Sequence, residues 1–337
     1  QVTRITPDSG SSLLSNDLYW QAYTSIISTH LQYLHTAIGY TAVDAQQFSA
    51  IPQRAFDMKG LIIQVPSNYN PTTRAYTGTW DGTFQLAWSD NPAWCFYDLL
   101  TNSRYGLGDM IPAATLNKWQ LYVIGQYCDE MVSDGFGGTE PRFTCNLFIQ
   151  GEAEAYTVVQ NMASIFRGMA YWSAGSIAVT QDAPATPVQS FTPANVIGGT
   201  FNYQGTSLKA RHTVALVTWN DPSQQYKQVV EYVQDDALVA KYGVVKAQVT
   251  AMGCTSRGQA HRWGQWLLYT ENLETEAISF KASLDGTFLT PGAIIQTSDP
   301  NRAGARMGGR VLGISPDGLT LTLDSAAPSG SGFTVQV

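Results

Sequence analysis

The sequence predicts an α+β fold in several domains. Strand-like alternation dominates both ends of the chain, three helix-like segments lie between them, and no regular strand–helix–strand order links the two kinds. The length of 337 residues exceeds one ordinary core. We therefore predict a β-rich segment over 1–85, an α/β domain with three helices over 86–185, a β segment with one helix over 186–275, and a small β-barrel-like or sandwich-like domain over 276–337.

Strand signals fill the first 85 residues. The run LIIQVP (61–66) is short and apolar, as expected of a buried strand. The run TWDGTF (79–84) places Asp81 and Gly82 between aromatic residues, and this Asp-Gly step predicts a tight hairpin turn with positive φ at the glycine.

Three apolar stripes predict the helices of the second domain. The first helix should begin at Asp90 or Asn91 as its N-cap, with Pro92 in the first turn and Gly106 shortly beyond the helix end. The residues expected to face the core are, helix by helix, Ala93, Phe96, Tyr97 and Leu100; Leu116, Trp119, Val123 and Tyr127; and Ala155, Val158, Met162, Ile165 and Met169.

Further strands and a connector follow from local pattern. FTCNLFIQ (143–150) and the two halves of MAYWSAGSIAVTQD (169–182) read as strands, and APATPVQSFTPANVIGG (183–199) reads as a proline-rich connector. HTVALVTWND, QVVEYVQD and GVVKAQVTAM predict three more strands. Ser256 and Gln259 form a capping box that starts a fourth helix. ISPDGLTLTL (314–323) predicts a hairpin.

The composition restricts the function. The net charge of -7 argues against a domain that grips nucleic acid through phosphates. Charged residues make up 13% and aromatic residues 12%, against roughly 25% charged in average domains. Few charges and many aromatic side chains are typical of surfaces that partners cover, and also of β-rich carbohydrate binders. The chain has no apolar run of about 20 residues that would span a membrane. It begins Gln-Val-Thr, which we read as a piece of a longer protein.

Four cysteines, Cys95, Cys128, Cys145 and Cys254, lie far apart without a C-x-x-C pair. This spacing argues against a zinc ribbon and against a disulfide scaffold, so we expect buried thiols.

The stretch SDGFGGTEPRFTCN (133–146) contains three glycines in four positions. It lacks the lysine and the spacing of a phosphate-binding loop, and Glu140 would repel a phosphate. We predict a tight reversal between a helix and the FTCNLFIQ strand.

Metal and nucleophile patterns are weak. His30 and His35 are five residues apart and would point to opposite faces of a strand, and His212 and His261 lack a ligand-spaced neighbour. The run CTSRGQAHRW (254–263) brings a cysteine, Ser256 and His261 into one segment, yet Ser256 already serves as a helix cap and no nucleophile elbow is present.

Carboxylates and arginines leave alternatives open. Two acids at suitable separation would serve glycoside hydrolysis, but the sequence brings no two together, and solvated faces or caps explain them equally well. The candidates are Asp98, Glu140, Glu152, Asp235 and Glu274. Arg302, Arg306 and Arg310 form a weak anion patch, an interface or a solvated loop. We predict no catalytic, cofactor-binding or metal-binding residue, and no enzyme.

Several long segments closely resemble the tail tip attachment protein J family, also called host specificity protein J, of lambda-like bacteriophages. These are LIIQVPSNYNPTTRAYTGTWDGTF, NPAWCFYDLLTNSRYGLG, KWQLYVIGQYCDEMVSDGFGGTEPRFTCN and CTSRGQAHRWGQWLL, in the same order as in the family. The similarity runs over nearly the whole chain, from RITPDSG to GGRVLGISPDGLTLTLD.

The resemblance implies a structural hub with β-barrel-like tube domains at the distal end of a tail. Three copies would form a ring that continues the tail tube, adjoin other tail proteins and lead into the central fibre. DNA would pass through without specific binding, and receptor contact would lie in parts of the protein beyond this chain. Assembly would occur in the bacterial cytoplasm and the product would reside in the virion. The alternatives are a carbohydrate- or receptor-binding module and a tail-associated cell-wall hydrolase.

Overall fold

The computed structural model describes residues 56–149, 154–173, 176–207, 211–303 and 310–323, with short stretches of the first 55 (5, 7–12, 36, 38–44, 46–47, 50 and 53–54). The chain divides into two units, Gln1–Ala55 and Phe56–Val337. All helices and strands given below lie in the second unit. His30, His35, Glu152 and Arg306, which the sequence analysis named, lie outside the described residues.

Short strands and three helices make up the first half of this unit. In chain order the elements are β1 (Ile62–Pro66), β2 (Tyr69–Asn70), β3 (Ala75–Tyr76), β4 (Phe84–Trp88), α1 (Pro92–Thr101), α2 (Lys118–Asp129), β5 (Met131–Ser133), β6 (Thr139–Pro141), α3 (Ala155–Ile165), β7 (Gly168–Ser173) and β8 (Ser176–Gln181).

The second half contains the longest strands and the longest helix. Its elements are β9 (Gln189–Phe191), β10 (Asn202–Gly205), β11 (Val214–Asp221), β12 (Lys227–Gln234), α4 (Asp236–Tyr242), β13 (Lys246–Thr250), α5 (Arg257–Leu273), β14 (Glu276–Ser279), β15 (Ile295–Thr297), α6 (Pro300–Ala303), β16 (Val311–Ile314) and β17 (Leu321–Leu323).

Helices and strands are mixed without regular alternation, which confirms the α+β prediction. Within the described ranges the strands pair as seven two-stranded ladders and one three-stranded sheet of order β12-β11-β13, and none closes into a barrel. The expectation of a closed barrel is therefore wrong for these residues, because a two-stranded ladder leaves both of its edges open. The C-terminal hairpin is confirmed by β16 and β17, with Gly318 at a φ of 72° in the turn.

Apolar side chains gather in two clusters. The helical core is formed mainly by α1, α2, α3 and β7–β8 and runs from Ile63 to Val179. The sheet core is formed by β11–β13 and α5 and runs from Ala215 to Leu268. Two further pairings, β9 with β15 and β10 with β14, bring residues near 190–205 beside residues near 276–297. The four domain boundaries stay a prediction.

The start of α1 is confirmed. Asn91 is the N-cap, its side chain accepts a hydrogen bond from the Ala93 amide, and Pro92 is the first helical residue. The cap stabilises the helix because it satisfies one of the backbone N–H groups that have no partner inside a helix. All four predicted core residues of α1 are buried.

The buried face of α2 differs from the prediction. Leu121, Ile124 and Cys128 pack inward, whereas Trp119 is 52% exposed and Val123 is 58% exposed. The sequence offers two apolar stripes on this helix, and periodicity alone does not say which one meets the core. The third helix is partly as expected: Met162 and Ile165 are buried, but Met169 lies on β7 and is half-exposed.

The Asp81-Gly82 turn is not the predicted two-residue hairpin. Gly82 has the expected positive φ of 83°, but β4 pairs with β1 and the preceding strand β3 pairs with β2. The Asp81 carboxylate accepts the Thr83 amide, and the Trp80 indole donates to the Thr83 carbonyl at 2.6 Å. Trp80 is buried among aromatic side chains, and this burial decides the path of the chain.

Two other local predictions require correction, and one helix was not predicted. The segment 143–149 belongs to no ladder, and its Cys145 amide donates instead to the Asp90 carbonyl. The proline-rich connector contains β9. Helix α4 was missed although Asp235 caps it and Gly243 follows it at a φ of 76°. A seven-residue helix is too short for a periodic pattern to stand out.

Candidate functional site

The glycine-rich stretch forms the turn between β5 and β6. Gly135 and Gly137 have φ values of 82° and 99°, which only glycine adopts easily. The Asp134 carboxylate accepts hydrogen bonds from the amides of Phe136 and Gly138, and these bonds hold the pKa of Asp134 below its usual range. The amides that a bound phosphate would need already have a partner. The tight reversal is confirmed, although it lies between two short strands.

This turn packs against the first turns of α5. A Cβ atom at Gly258 would lie 2.8 Å from the Asp134 carbonyl oxygen, so the two backbones approach more closely than any other residue would allow. The Phe136 ring lies beneath the Arg257 guanidinium at 4.1 Å and meets His261 edge-on at 5.8 Å. The turn therefore attaches the helical core to the sheet core. We call these contacts, between residues 133–146 and residues 253–262, the joint.

A partly buried ion pair lies at the centre of the joint. Arg262 donates to Glu140 at 2.6 Å, and both side chains are less than one-fifth exposed. The same guanidinium donates to the carbonyl oxygens of Ser133 and Arg142 at 3.1 and 3.0 Å. Ser256 donates its hydroxyl hydrogen to the second Glu140 oxygen. Every charge here is paired and hydrogen-bonded, as burial requires.

Amide side chains extend the joint along the segment after β6. Gln259 accepts from the amide and the hydroxyl of Thr144, each at 3.0 Å, and donates to the Thr144 carbonyl at 3.1 Å. Asn146 donates to the Thr255 hydroxyl at 3.0 Å, and its amide donates to the Gly253 carbonyl at 2.8 Å.

The capping box is half as predicted. Ser256 caps α5 by accepting from the Gln259 amide at 3.3 Å. The side chain of Gln259 serves Thr144 instead of returning to the cap. The pattern correctly predicts the helix start. The Gln259 half of the capping box is not formed, because that side chain binds Thr144.

The cysteine, serine and histidine of CTSRGQAHRW do not form a nucleophilic site. The Cys254 thiol donates to the Ser256 carbonyl at 3.1 Å, and burial raises the pKa of Cys254 to about 11. The Ser256 hydroxyl is committed to Glu140, and His261 Nδ1 faces Glu231 at 3.1 Å. A nucleophile requires a base within hydrogen-bond reach, and these three side chains each face a different partner.

The predicted carboxylates occupy structural positions. Buried Asp98 accepts the Gln64 amide and the Tyr105 hydroxyl. Asp235 caps α4, and Glu274 stands at the C-cap of α5. None of these contacts joins two of the predicted acids.

His212 and Arg302, which the sequence analysis considered for a metal site and an anion patch, also make ordinary contacts. His212 lies 2.9 Å from Glu271, and Arg302 pairs with Glu276 at 2.8 Å while covering the Tyr203 ring. No three metal-ligating side chains converge among the described residues. Across the same ranges, no helix combines the length and the apolarity needed to cross a bilayer.

Sequence reasoning missed one polar cluster beside the helical core. Arg74 donates to Asp90 at 2.5 Å and to Asp129 at 2.8 Å, and Asp129 also accepts from Tyr76 and from fully buried Asn91. Burial raises the pKa of Tyr76, which keeps its phenol neutral. The only signal was Asp129 at the end of the buried face of α2.

The thiols behave as predicted. Cys128, Cys145 and Cys254 are buried, Cys95 is half-buried, and none forms a disulfide. Burial raises the pKa of Cys128 well above its ordinary value, so it remains a neutral thiol at physiological pH.

One family model and one solved structure are similar to parts of this chain. A family model described as a putative phage tail protein matches residues 154–314. The crystal structure of a tail protein from Neisseria meningitidis MC58 aligns at a TM-score of 0.35 and 11% identity, over 47% of this chain and 48% of that one.

Two curated relatives match almost the whole chain. Tip attachment protein J of Escherichia phage SECphi27 is 40% identical over 94% of this chain, and that of Escherichia phage SECphi4 is 38% identical over 96%. The chain spans only 27% and 29% of these relatives. Neither name describes an enzyme, in agreement with the prediction that the chain is not one. The resemblance read from the sequence is confirmed: the chain is similar, over nearly all of its length, to a segment of the tip attachment proteins J of phage tails.

Proposed function

We propose that this chain is part of a hub at the distal tip of a phage tail. In this proposal three copies form a ring that closes the tail tube, contacts other tail proteins and leads into the central fibre used for host recognition. The observation that carries the proposal is the similarity to tip attachment protein J across 94% of the chain.

The geometry supports a structural role in the tail. The joint clamps two cores with a partly buried ion pair and a close glycine contact, an arrangement suited to holding shape under load. The candidate nucleophile and carboxylates are used in caps, turns and ion pairs.

Charge supports passage of DNA without capture. A net charge of -7 gives no basic grip that would slow ejection through a channel. The chain would assemble in the bacterial cytoplasm, where thiols remain reduced, and would reside at the tail tip of the virion. Receptor contact would belong to parts of the protein outside this chain.

The test is to image phage particles that carry the full-length protein. An antibody raised against this chain should label the tail tip, and mass measurement of isolated tips should give three copies per tail. Labelling along the shaft or on the capsid would contradict the proposal. In a parallel experiment, the particles are incubated with purified peptidoglycan. Altering this chain alone should leave the amount of soluble product unchanged.

A further inference from the structure

The strand β12 is an open edge of the three-stranded sheet. It has eight residues, and it pairs with β11 over its full length without a register shift. Natural edge strands are commonly shortened, bulged or interrupted by proline, because an open edge invites another strand. β12 is neither short nor bulged and contains no proline, and its two charged residues are Lys227 at its first position and Glu231 on the face that α5 covers. No strand among the described residues covers its outer side.

Hydrogen bonds at the strand ends show which backbone groups point outward. The Asp235 amide donates to the Thr213 carbonyl, whereas the Thr218 carbonyl accepts from Ala251 on the β13 side. The backbone N–H and C=O groups of odd-numbered β11 residues therefore point toward β12, and those of even-numbered residues point toward β13. By the register of the β11–β12 pair, the even-numbered residues of β12 direct their N–H and C=O groups away from the sheet. They are Gln228, Val230, Tyr232 and Gln234.

The side chains of these four residues are also exposed and uncharged. Val230 is 58% exposed and Tyr232 is 49% exposed, on the face opposite α5. The charged residue Glu231 points to the other face, where Arg257 and His261 bind it. In the part of the chain that the structure describes, the outer surface of β12 thus combines backbone groups that no strand pairs with β-branched, aromatic and amide side chains, which suits an added strand.

The opposite edge of the sheet is complementary. β13 is parallel to β11, so it runs antiparallel to β12. Its Ala251 amide points to β11, which leaves the even-numbered Lys246, Gln248 and Thr250 directed outward. With β12 of one copy beside β13 of another, one register places Gln234 opposite Lys246, Tyr232 opposite Gln248, and Val230 opposite Thr250. This register places no like charges opposite each other.

Pairing of β12 with itself is disfavoured. The register that pairs all four outward residues with their counterparts places Glu231 directly opposite Glu231 of the second copy. Like charges directly opposite each other destabilise a strand pair. The charge pattern therefore favours a contact between two different edges.

We infer that β12 of one copy adds to β13 of the next copy, continuing the sheet from one subunit to its neighbour. The inference rests on the proposed assembly of three copies. A contact between different edges is head-to-tail, and such contacts close rings when the rotation between subunits allows it.

Cysteine pairs in phage particles test the register. The double variant V230C/T250C should form disulfides between copies on mild oxidation, giving covalent dimers and trimers on a non-reducing gel. Within one chain the two positions are separated by two strand spacings, about 9.5 Å, beyond the roughly 7 Å limit for a disulfide. The control V230C/K246C shifts one cysteine by four residues, about 13 Å along the strand.

The expected result is at least about 10-fold more cross-linked product from the matched pair than from the control. Equal or absent cross-linking in particles whose tips contain three copies would overturn the inference and leave the proposed function standing. Absence of the chain from the tail tip would overturn both.

A second variant addresses assembly without cysteines. Val230→Lys places a charge on the edge and should reduce the yield of infectious particles at least about 10-fold, while the circular dichroism spectrum of the purified full-length protein stays unchanged. Val123→Lys is the matched control, because this valine on α2 has the same 58% exposure. Equal yields from the two variants would contradict the inference.

Discussion

The helical core and the sheet core bury apolar surface in different ways. In the helical core three helices and several hairpins surround large aromatic side chains, and Trp94 and Phe96 are completely buried. In the sheet core a single helix covers one face of three strands, and no other strand of the described residues pairs with either edge. The first region is closed by its own side chains, whereas the second leaves surface for another chain to cover. The helical core is thus closed by its own packing, and the sheet core is the region through which we propose that copies assemble.

The largest effect should follow a cavity in the helical core. Trp94→Ala removes a fully buried indole that packs on Gly125 and donates to Tyr76 at 3.1 Å. We expect a loss of about 3–5 kcal/mol in the free energy of unfolding, measured by urea denaturation. Trp172→Ala is the control, because Trp172 on β7 is 67% exposed. Similar losses for both variants would show that the helical core is not closed around Trp94.

The joint should be the next most sensitive region. Arg262→Gln leaves the Glu140 carboxylate without its cation, and we expect a loss of about 2–4 kcal/mol. The matched control is Arg302→Gln, whose pair with Glu276 has a similar distance of 2.8 Å but is about half exposed. That variant should lose at most about 1 kcal/mol. Equal losses in urea denaturation would mean that the joint does not couple the two cores.

Close packing in the sheet core should give a moderate effect. A Cβ atom at Gly264 of α5 would lie 2.7 Å from a methyl group of Val233. Overpacking costs about 1–3 kcal/mol, and the better helix propensity of alanine returns up to about 1 kcal/mol. We expect Gly264→Ala to lose about 1–2 kcal/mol in thermal unfolding. Gly313→Ala should be nearly neutral, because nothing lies within 4 Å of that position; a neutral Gly264→Ala would contradict the close approach.

The smallest effect should appear at high pH. Burial raises the pKa of Cys254 from 9.0 to about 11, so the folded state keeps the thiol proton where the unfolded state has lost it. This stabilising contribution is complete below pH 9 and is lost as the pH rises through 11. We expect Cys254→Ala to flatten the fall of unfolding free energy between these values, measured by urea titration at each pH. An unchanged slope would contradict the assignment.

Local patterns predicted the elements whose signals were short-range. Asn91 with Pro92 marked the start of α1, Ser256 marked the start of α5, and Gly318 marked the C-terminal turn. These signals work because a cap or a positive φ acts within a few residues. The glycine-rich turn was also predicted as a turn, but the sequence did not show that it docks on α5.

Other features needed contacts between distant residues. Trp119 and Val123 form an apolar stripe as good as the one that is buried, so only packing decided the face of α2. The Gln259 side chain binds Thr144, which lies 115 positions away, instead of the helix cap that the capping box predicts. The segment 143–149 has the composition of a strand, yet its backbone bonds go to single residues of other elements.

By itself the sequence determined the α+β class, the starts of α1 and α5, the reduced thiols and the resemblance to phage tail tip proteins. These follow from composition, from local hydrogen bonding and from long ordered matches. Only the tertiary structure decided which face of α2 is buried, which partners hold Glu140 and Arg262, and which strand edge stays open. These depend on which distant surfaces meet. The free energy gained by burying one apolar stripe instead of another depends on the surface against which it packs, so neither stripe alone predicts it.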